Sequence, residues 1–415
     1  MNPKVQLTHF NYLRQILLSS RPLLSFLTLF MACSVQAQAP VNTCNDNGIG
    51  SVELQGAGSM VTILEVSTGM AEDVPYCLVK VLVPEAINIW VGLPMDDAWN
   101  GRWQSVGGGG YAGRASVPNN ALAAGFAAAT TDTGHTTQVG GSFGMLEPGK
   151  PNTQLQIDFA YRSEHLMAEI GKQLVEAFYG EAPAFSYWNG CSTGGRQGLR
   201  MAQDYPDDYD GILAGAPAIH WDRFQAGQIW YQVVQLRENG GYIGNGDREV
   251  LAAKQQLATA RAIAVCDALD GVTDGVLGDP RQCAYSAVED NTITSAQCTA
   301  VDSSCLTRTE ASAIDKMWVG PVACANGSID CSVPDVATRD LDNGSNQRLW
   351  YANTRGTNLS LLGGATPFMI AVQQPRFWVY YNPDWDWQVL DYDNYPDFFR
   401  ESVSKVGPVM GSDNP

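Results

Sequence analysis

The stretch that decides the fold is Phe185-Ser186-Tyr187-Trp188-Asn189-Gly190-Cys191-Ser192-Thr193-Gly194-Gly195-Arg196-Gln197-Gly198, residues 185–198. Residues 185–188 read as a short β-strand, and 196–203 can open a helix. Between them, Gly190-Cys191-Ser192-Thr193-Gly194 is a G-x-S-x-G element. On a sharp strand-to-helix turn such an element lifts the serine hydroxyl clear of the chain, and only small residues fit at its flanks. The same turn places the N–H of Thr193 at a helix N-terminus, where it can donate to a developing oxyanion. Ser192 is therefore the candidate nucleophile for acyl transfer. The bland alternative is a structural turn, which a bare five-residue pattern also permits.

The chain on either side keeps one rhythm. The segment 103–106, bounded by the hydrophobic Trp103 and Val106, leads directly into the glycine block 107–110. The second oxyanion donor of such a site comes from an earlier strand-to-helix loop, and Gly109 is the candidate. Residues 125–131 read as a buried strand ending in Asp132-Thr133-Gly134-His135. Residues 166–179 carry Leu166, Ile170, Leu174, Val175 and Phe178 at helical spacing and stop at Gly180. Residues 210–214 are the next strand, followed by the small-residue turn 215–218. Strand, tight glycine turn, helix and strand predict an α/β fold with a parallel sheet and crossover helices.

Past about residue 221 the pattern changes. Residues 223–375 hold six cysteines, many Asp and Gly, and helical stretches at 249–265 and 310–318. This predicts an inserted lobe stapled by disulfides. Residues 374–399 are aromatic-rich and include Trp378 and Trp385, as lobe core or as flanks for a bound ring. The expected plan is an export signal at 1–39, a sheet core at 40–222, an inserted lobe at 223–375 and a return toward the core at 376–415.

Composition bounds the class. The 415 residues are 45% apolar, which excludes a disordered chain. The net charge is −18, and residues 1–39 carry Lys4, Arg14 and Arg21 without one acid, so the rest is more acidic still. An acidic body repels phosphate backbones and anionic lipid, which argues against nucleic-acid or membrane-surface partners; otherwise acidity serves solubility. The early bases precede an apolar run at 22–33 and the small-residue sites Val35-Gln36-Ala37 and Ala37-Gln38-Ala39. That is the pattern of a signal peptide, too short to span a bilayer, and it predicts export to the periplasm or beyond. A buried core helix is one alternative; a lipoprotein Cys33 is another, poorly served by Phe30. Ten cysteines become nine without Cys33, an odd count for an exported chain.

Gly-Cys-Ser-Thr-Gly-Gly-Arg-Gln-Gly at 190–198 closely resembles the tannase and feruloyl esterase family. So do Trp99-Asn100-Gly101-Arg102, Gly108-Gly109-Gly110-Tyr111-Ala112-Gly113, Thr131-Asp132-Thr133-Gly134-His135, Asp158-Phe159-Ala160-Tyr161-Arg162 and the run 206–218. The resemblance covers residues 44–415. It implies an α/β-hydrolase fold with a lid, an acyl-enzyme on Ser192, and hydrolysis of aryl acid esters such as feruloyl or galloyl esters. It also implies a disulfide from Cys191 to a cysteine just after the triad histidine. The triad order is Ser, Asp, His, yet the only histidine after Ser192 is His220, which no cysteine follows. His135 and His165 precede the serine and read as packed histidines; Asp384, Asp386, Asp391, Asp393 and Asp397 read as loop carboxylates. The expectation is a chain truncated at its C-terminus, lacking the triad Asp and His and the last strands, with Cys191 left unpaired. Two rivals stay open: an impaired chain that at most binds aryl esters, and another acyl-transfer enzyme on the same scaffold.

Asp267, Asp270 and Asp274 lie within eight residues, where three carboxylates repel unless a cation sits among them; hard oxygens on a glycine-relieved loop suit Ca²⁺, though without EF-hand spacing. The bland alternative is a solvated acidic turn. By resemblance, Asp267, Asp270 and Asp274 bind a structural Ca²⁺ through side chains, and Val272 and Val276 through backbone carbonyls. Cys266 and Cys283 bracket that loop and should pair. Cys298–Cys305, Cys324–Cys331 and Cys44–Cys77 are the other plausible pairs, although spacing alone does not fix connectivity. No Cys-x-x-Cys or paired histidine suggests zinc, and no organic cofactor is expected.

Overall fold

The computed structural model describes residues 40–56, 58–137, 140–323, 347–350 and 353–410. The expected signal at 1–39 and the Cys324–Cys331 pair lie outside the described residues.

The sheet strands are β1 (Leu54–Gly56), β2 (Ser59–Ala71), β3 (Val74–Val83), β4 (Ile87–Pro94), β5 (Arg102–Val106) and β6 (Ala127–Thr131). After a small hairpin, β7 (Met145–Glu147) with β8 (Lys150–Pro151), come β9 (Phe185–Cys191) and β10 (Gly211–Gly215). Eight of these form one sheet in the order β1-β2-β3-β4-β6-β5-β9-β10. The sheet is mixed, which corrects the expected parallel one. The turns joining β1 to β4 have only two or three residues, too few for a crossover, so these strands pair antiparallel. β4 also meets β6 antiparallel. From β6 through β5 and β9 to β10 the pairing is parallel.

The parallel half is connected by helices: α1 (Asn119–Ala123), α2 (Thr153–Ile157), α3 (Ser163–Tyr179) and α4 (Thr193–Asp204). Leu166, Ile170, Leu174 and Val175 of α3 are fully buried against Trp103, Trp188 and the aliphatic faces of β3 and β4. α3 ends where expected, with Gly180 in the left-handed region at φ 80°. The Cys44–Cys77 disulfide ties the start of the described chain to β3.

A helical body follows: α5 (Trp221–Asn239), α6 (Arg248–Cys266), α7 (Arg308–Val319), α8 (Met369–Gln374) and α9 (Tyr395–Met410). Its core joins Trp230, Tyr231, Ile314, Trp318, Leu359 and Phe398. Cys266–Cys283 and Cys298–Cys305 are both formed. Lys254 and Glu310 are wholly buried and paired at 2.6 Å. All three ammonium hydrogens have acceptors, since Lys254 Nζ also donates to Thr299 O and Cys305 O at 3.0 Å each. Glu310 in turn accepts the Gly244 and Thr307 amides, the latter closing a capping box at the start of α7. Trp387, Tyr395 and Phe398 pack into this same core, while Trp378, Val406 and Met410 join Tyr111, Phe143, Phe159 and Trp221 in a cluster at its border with the sheet.

Candidate active site

Ser192 is the corner between β9 and α4. It is exposed, with φ 59° and ψ −116°. A non-glycine residue held there stores of order 1–3 kcal/mol and persists only when its surroundings over-determine it. They do: its N–H donates to Gly215 O at 3.0 Å, and its carbonyl accepts the Arg196 and Ala218 amides at 3.0 Å each. The helix begins at Thr193, three residues earlier than its side-chain pattern suggests.

The flanking glycines are required by contact. A Cβ on Gly190 would lie 2.5 Å from the Gly194 carbonyl, and one on Gly194 would lie 3.0 Å from Gly108 O. Strand, helix and glycine block thus meet backbone to backbone. The block is pinned at four points, one of them a turn in which Gly109 O accepts the Ala112 N–H at 2.9 Å. Gly107 N–H donates to Asn189 O at 2.9 Å, Gly108 N–H to Gln197 Oε1 at 3.1 Å, and Gly110 O accepts the Thr193 hydroxyl. The amides of Gly107 and Gly108 are therefore occupied. Gly109 is exposed, and no heavy atom outside its chain neighbours comes within 4 Å of where its Cβ would be.

Among the described residues no hydrogen bond joins the Ser192 hydroxyl to an imidazole or a carboxylate. His135 is buried and stacked on Phe143 at 3.6 Å, with Thr133 Oγ1 at 3.2 Å and Thr137 Oγ1 at 2.9 Å from its two nitrogens. Desolvation pushes its pKa down to about 4, against a weaker opposing bond from the Tyr111 backbone. His165 Nδ1 lies 2.8 Å from Asp208 Oδ2, and its ring stacks on Tyr205. His220 caps α5 at φ 50°, edge-on to Trp350 at 6.1 Å. Asp386 and Asp391 accept amides of their own turns, and Asp397 pairs with Arg400. Trp378 is buried with Nε1 donating to Gly141 O, and Trp385 stacks on both Tyr380 and Phe398 in a three-ring cluster, so both serve packing. A groove of about 530 Å³ runs past Asn88, Asp132, His135 and Phe143.

The remaining expected residues fall outside this corner. Asp267 accepts the Gly275 amide, Asp270 those of Val272 and Gly278, and Asp274 that of Val276. Val272 and Val276 are exposed on the same loop. Among the described residues no group of three or more His, Cys, Asp or Glu side chains stands close enough to share a metal ion. Cys191 is a free, exposed thiol beside Ser192. Sequence reasoning passed over Gln197 and Glu164. The available signal was Glu164 itself, a carboxylate on the apolar stripe of α3, four residues before buried Ala168.

A serine exposed at a strand–corner–helix turn of a mixed sheet, with a pinned glycine block against the same helix, defines an α/β fold with a candidate nucleophile at its corner. The chain belongs to the tannase and feruloyl esterase family: the family model "Tannase and feruloyl esterase" matches residues 77–415. A probable feruloyl esterase of Arthroderma benhamiae is 32% identical over 343 residues, 79% of this chain and 58% of the relative. The chain thus spans less than two thirds of that relative's length. An esterase from Aspergillus oryzae superposes with a TM-score of 0.64 at 23% identity, covering 85% of this chain and 70% of its own. Feruloyl esterase B from Aspergillus oryzae superposes with a TM-score of 0.62 at 24% identity and the same coverages. These likenesses establish the fold.

Proposed function

We propose that the chain is a carboxylic ester hydrolase acting on aryl acid esters, feruloyl or galloyl esters among them, through an acyl-enzyme on Ser192. The observation that carries this is the exposed Ser192 at φ 59°, held in a strained corner between β9 and α4. The hydroxyl oxygen attacks the ester carbonyl and its proton passes to a base. The Thr193 and Gly109 amides stabilise the oxyanion, the alcohol leaves, and water frees the acid. Names of the relatives support the substrate class. His135, His165 and His220 are not assigned as the base, since none bonds Ser192. A fluorophosphonate probe with mass-spectrometric site mapping tests the proposal. Label on Ser192, lost in Ser192→Ala, supports it; label elsewhere or none overturns it. A panel of ferulate, gallate and amide substrates then separates esterase from other acyl transfer.

The lack of an imidazole on Ser192 among the described residues favours a second reading, in which the chain binds aryl esters with little turnover. Measured hydrolysis of methyl ferulate at rates ordinary for an esterase would exclude it.

We also propose Ca²⁺ for the loop of Asp267, Asp270 and Asp274. Its hard oxygens suit that ion, and carboxylates that accept backbone amides keep lone pairs for a cation; the three would have to draw together to share it. The ion would brace the loop held by Cys266–Cys283. Export is proposed on the signal-like 1–39 segment and the disulfides. Among the described residues no helix is long and apolar enough to cross a membrane.

A further inference from the structure

A buried polar chain runs beneath the glycine block, outside the chemistry described above. Gln197 lies on the first turns of α4 and is 1% exposed. Its Oε1 accepts the Gly108 N–H at 3.1 Å, and its Nε2 donates to Glu164 Oε1. Glu164, at the start of α3, is fully buried. Its other oxygen, Oε2, lies 3.0 Å from Ser163 Oγ, which lies 2.7 Å from Asp158 O.

Donors and acceptors leave this chain one direction. An amide N–H only donates and a backbone carbonyl only accepts. Gly108 therefore requires the oxygen of Gln197, which turns the Gln197 NH₂ toward Glu164. At the far end, Asp158 O takes the single Ser163 hydroxyl hydrogen. The Ser163 oxygen is then free to accept, and a neutral Glu164 supplies the hydrogen. Burial favours that neutral form, pushing the Glu164 pKa up to about 7 against the opposing pull of Arg196. The guanidinium itself is committed to Ala160 O and Phe159 O, at 2.9 and 3.1 Å. Gln197, Glu164 and Ser163 are thus linked with the Gln197 amide in a single orientation, and such a buried chain holds that side chain rigidly.

We propose that Gln197, itself oriented by Glu164, is a positioning residue that fixes the Gly108 amide and thereby holds Gly109 as the oxyanion donor beside Ser192. The role rests on Ser192 as the nucleophile. Gly107 and Gly110 are pinned to β9 and to Thr193, and Gly109 O to the Ala112 amide, but none of these bonds holds the Gly108 N–H, whose peptide plane directly precedes the one that carries the Gly109 N–H. The Gln197 contact acts one residue away from that donor. It also couples the block to α3 through Glu164.

The test uses the full chain and three variants, Gln197→Met, Glu164→Met and Glu164→Gln. Met matches Gln and Glu in volume and flexibility, so a packing role alone survives the first two. Two readouts are taken: the rate of fluorophosphonate labelling at Ser192, and hydrogen exchange of the peptide spanning 107–113, each alongside a thermal melt. Removing a direct oxyanion donor costs about 10²–10³-fold; loosening one through its neighbour should cost about tenfold. We expect Gln197→Met to label about tenfold more slowly and to exchange faster at 107–113. Glu164→Met should shift both in the same direction by less. Glu164→Gln, which keeps a donor and an acceptor in place, should match the parent within about twofold. Gln197→Met equal to the parent in both readouts overturns the proposal, as does Glu164→Gln falling as far as Glu164→Met. Should Gln197→Met not fold, the contrast between the two Glu164 variants decides. If the parent takes no label, Ser192 fails as the nucleophile, while exchange at 107–113 still decides whether Gln197 positions the block.

Discussion

Replacing Gly190 by alanine should damage the corner. Gly190 does not sit at positive φ, so the new side chain acts by contact alone. Its Cβ would stand 2.5 Å from the Gly194 carbonyl carbon and oxygen, where ordinary contact begins at 3.4 Å. Both partners are backbone, so no rotamer change relieves the clash. β9 and the first turn of α4 must separate by about 0.9 Å. Overpacking of this kind typically costs about 1–3 kcal/mol of stability, and a misplacement near 1 Å costs about 10²-fold in rate. Gly190→Ala is therefore expected to melt a few degrees lower and to label at Ser192 about 100-fold more slowly than the parent. Gly241→Ala is the matched control: it adds the same methyl outside the site where nothing lies within 4 Å, and it should label within a few-fold of the parent. Differential scanning fluorimetry and timed fluorophosphonate labelling measure both. A Gly190→Ala chain that melts and labels like the parent refutes the view that backbone contact builds this corner.

Three further perturbations probe the rest of the molecule. His135 is held neutral by burial, its pKa down at about 4 from 6.5, so the unfolded chain takes up this proton first as pH falls. Its contribution is present above pH 6.5 and is lost on the way to pH 4, up to about 3 kcal/mol. Denaturant melts from pH 7 to 4 should show a smaller loss for His135→Gln than for the parent; equal slopes reject this account. Glu164 titrates with the opposite slope but is common to both proteins. Lys254→Met leaves Glu310 buried without its counter-ion and should cost about 3–5 kcal/mol, whereas Lys254→Met with Glu310→Gln should recover part of it. Urea denaturation that finds the single variant no worse than the double contradicts this. Millimolar Ca²⁺ should raise the melting temperature, worth about 2.7 kcal/mol at a hundredfold excess over Kd, and Asp270→Ala should abolish the rise; a parent melt indifferent to Ca²⁺ and to EGTA removes calcium from the loop.

Local sequence determined the elements around Ser192 and where they end. Small residues on both sides of the serine, apolar spacing in α3 and a glycine at its end are short-range signals, and the structure places a strand, corner and helix there. Cys44–Cys77, Cys266–Cys283 and Cys298–Cys305 formed as three of the plausible pairs, though spacing alone had not fixed them. The mixed sheet was not read from the pattern of residues 185–215, since strand direction is set by the connections elsewhere, and links as short as the two-residue turn at 72–73 enforce antiparallel pairing in the first half. Tertiary structure alone decided which amides of the glycine block are occupied, because Gln197 reaches Gly108 across 89 residues of chain. It also decided that Lys254 and Glu310, 56 residues apart, share one dry pocket. Periodicity reports which face of an element is apolar; what a polar atom on that face bonds depends on the neighbour the fold brings to it.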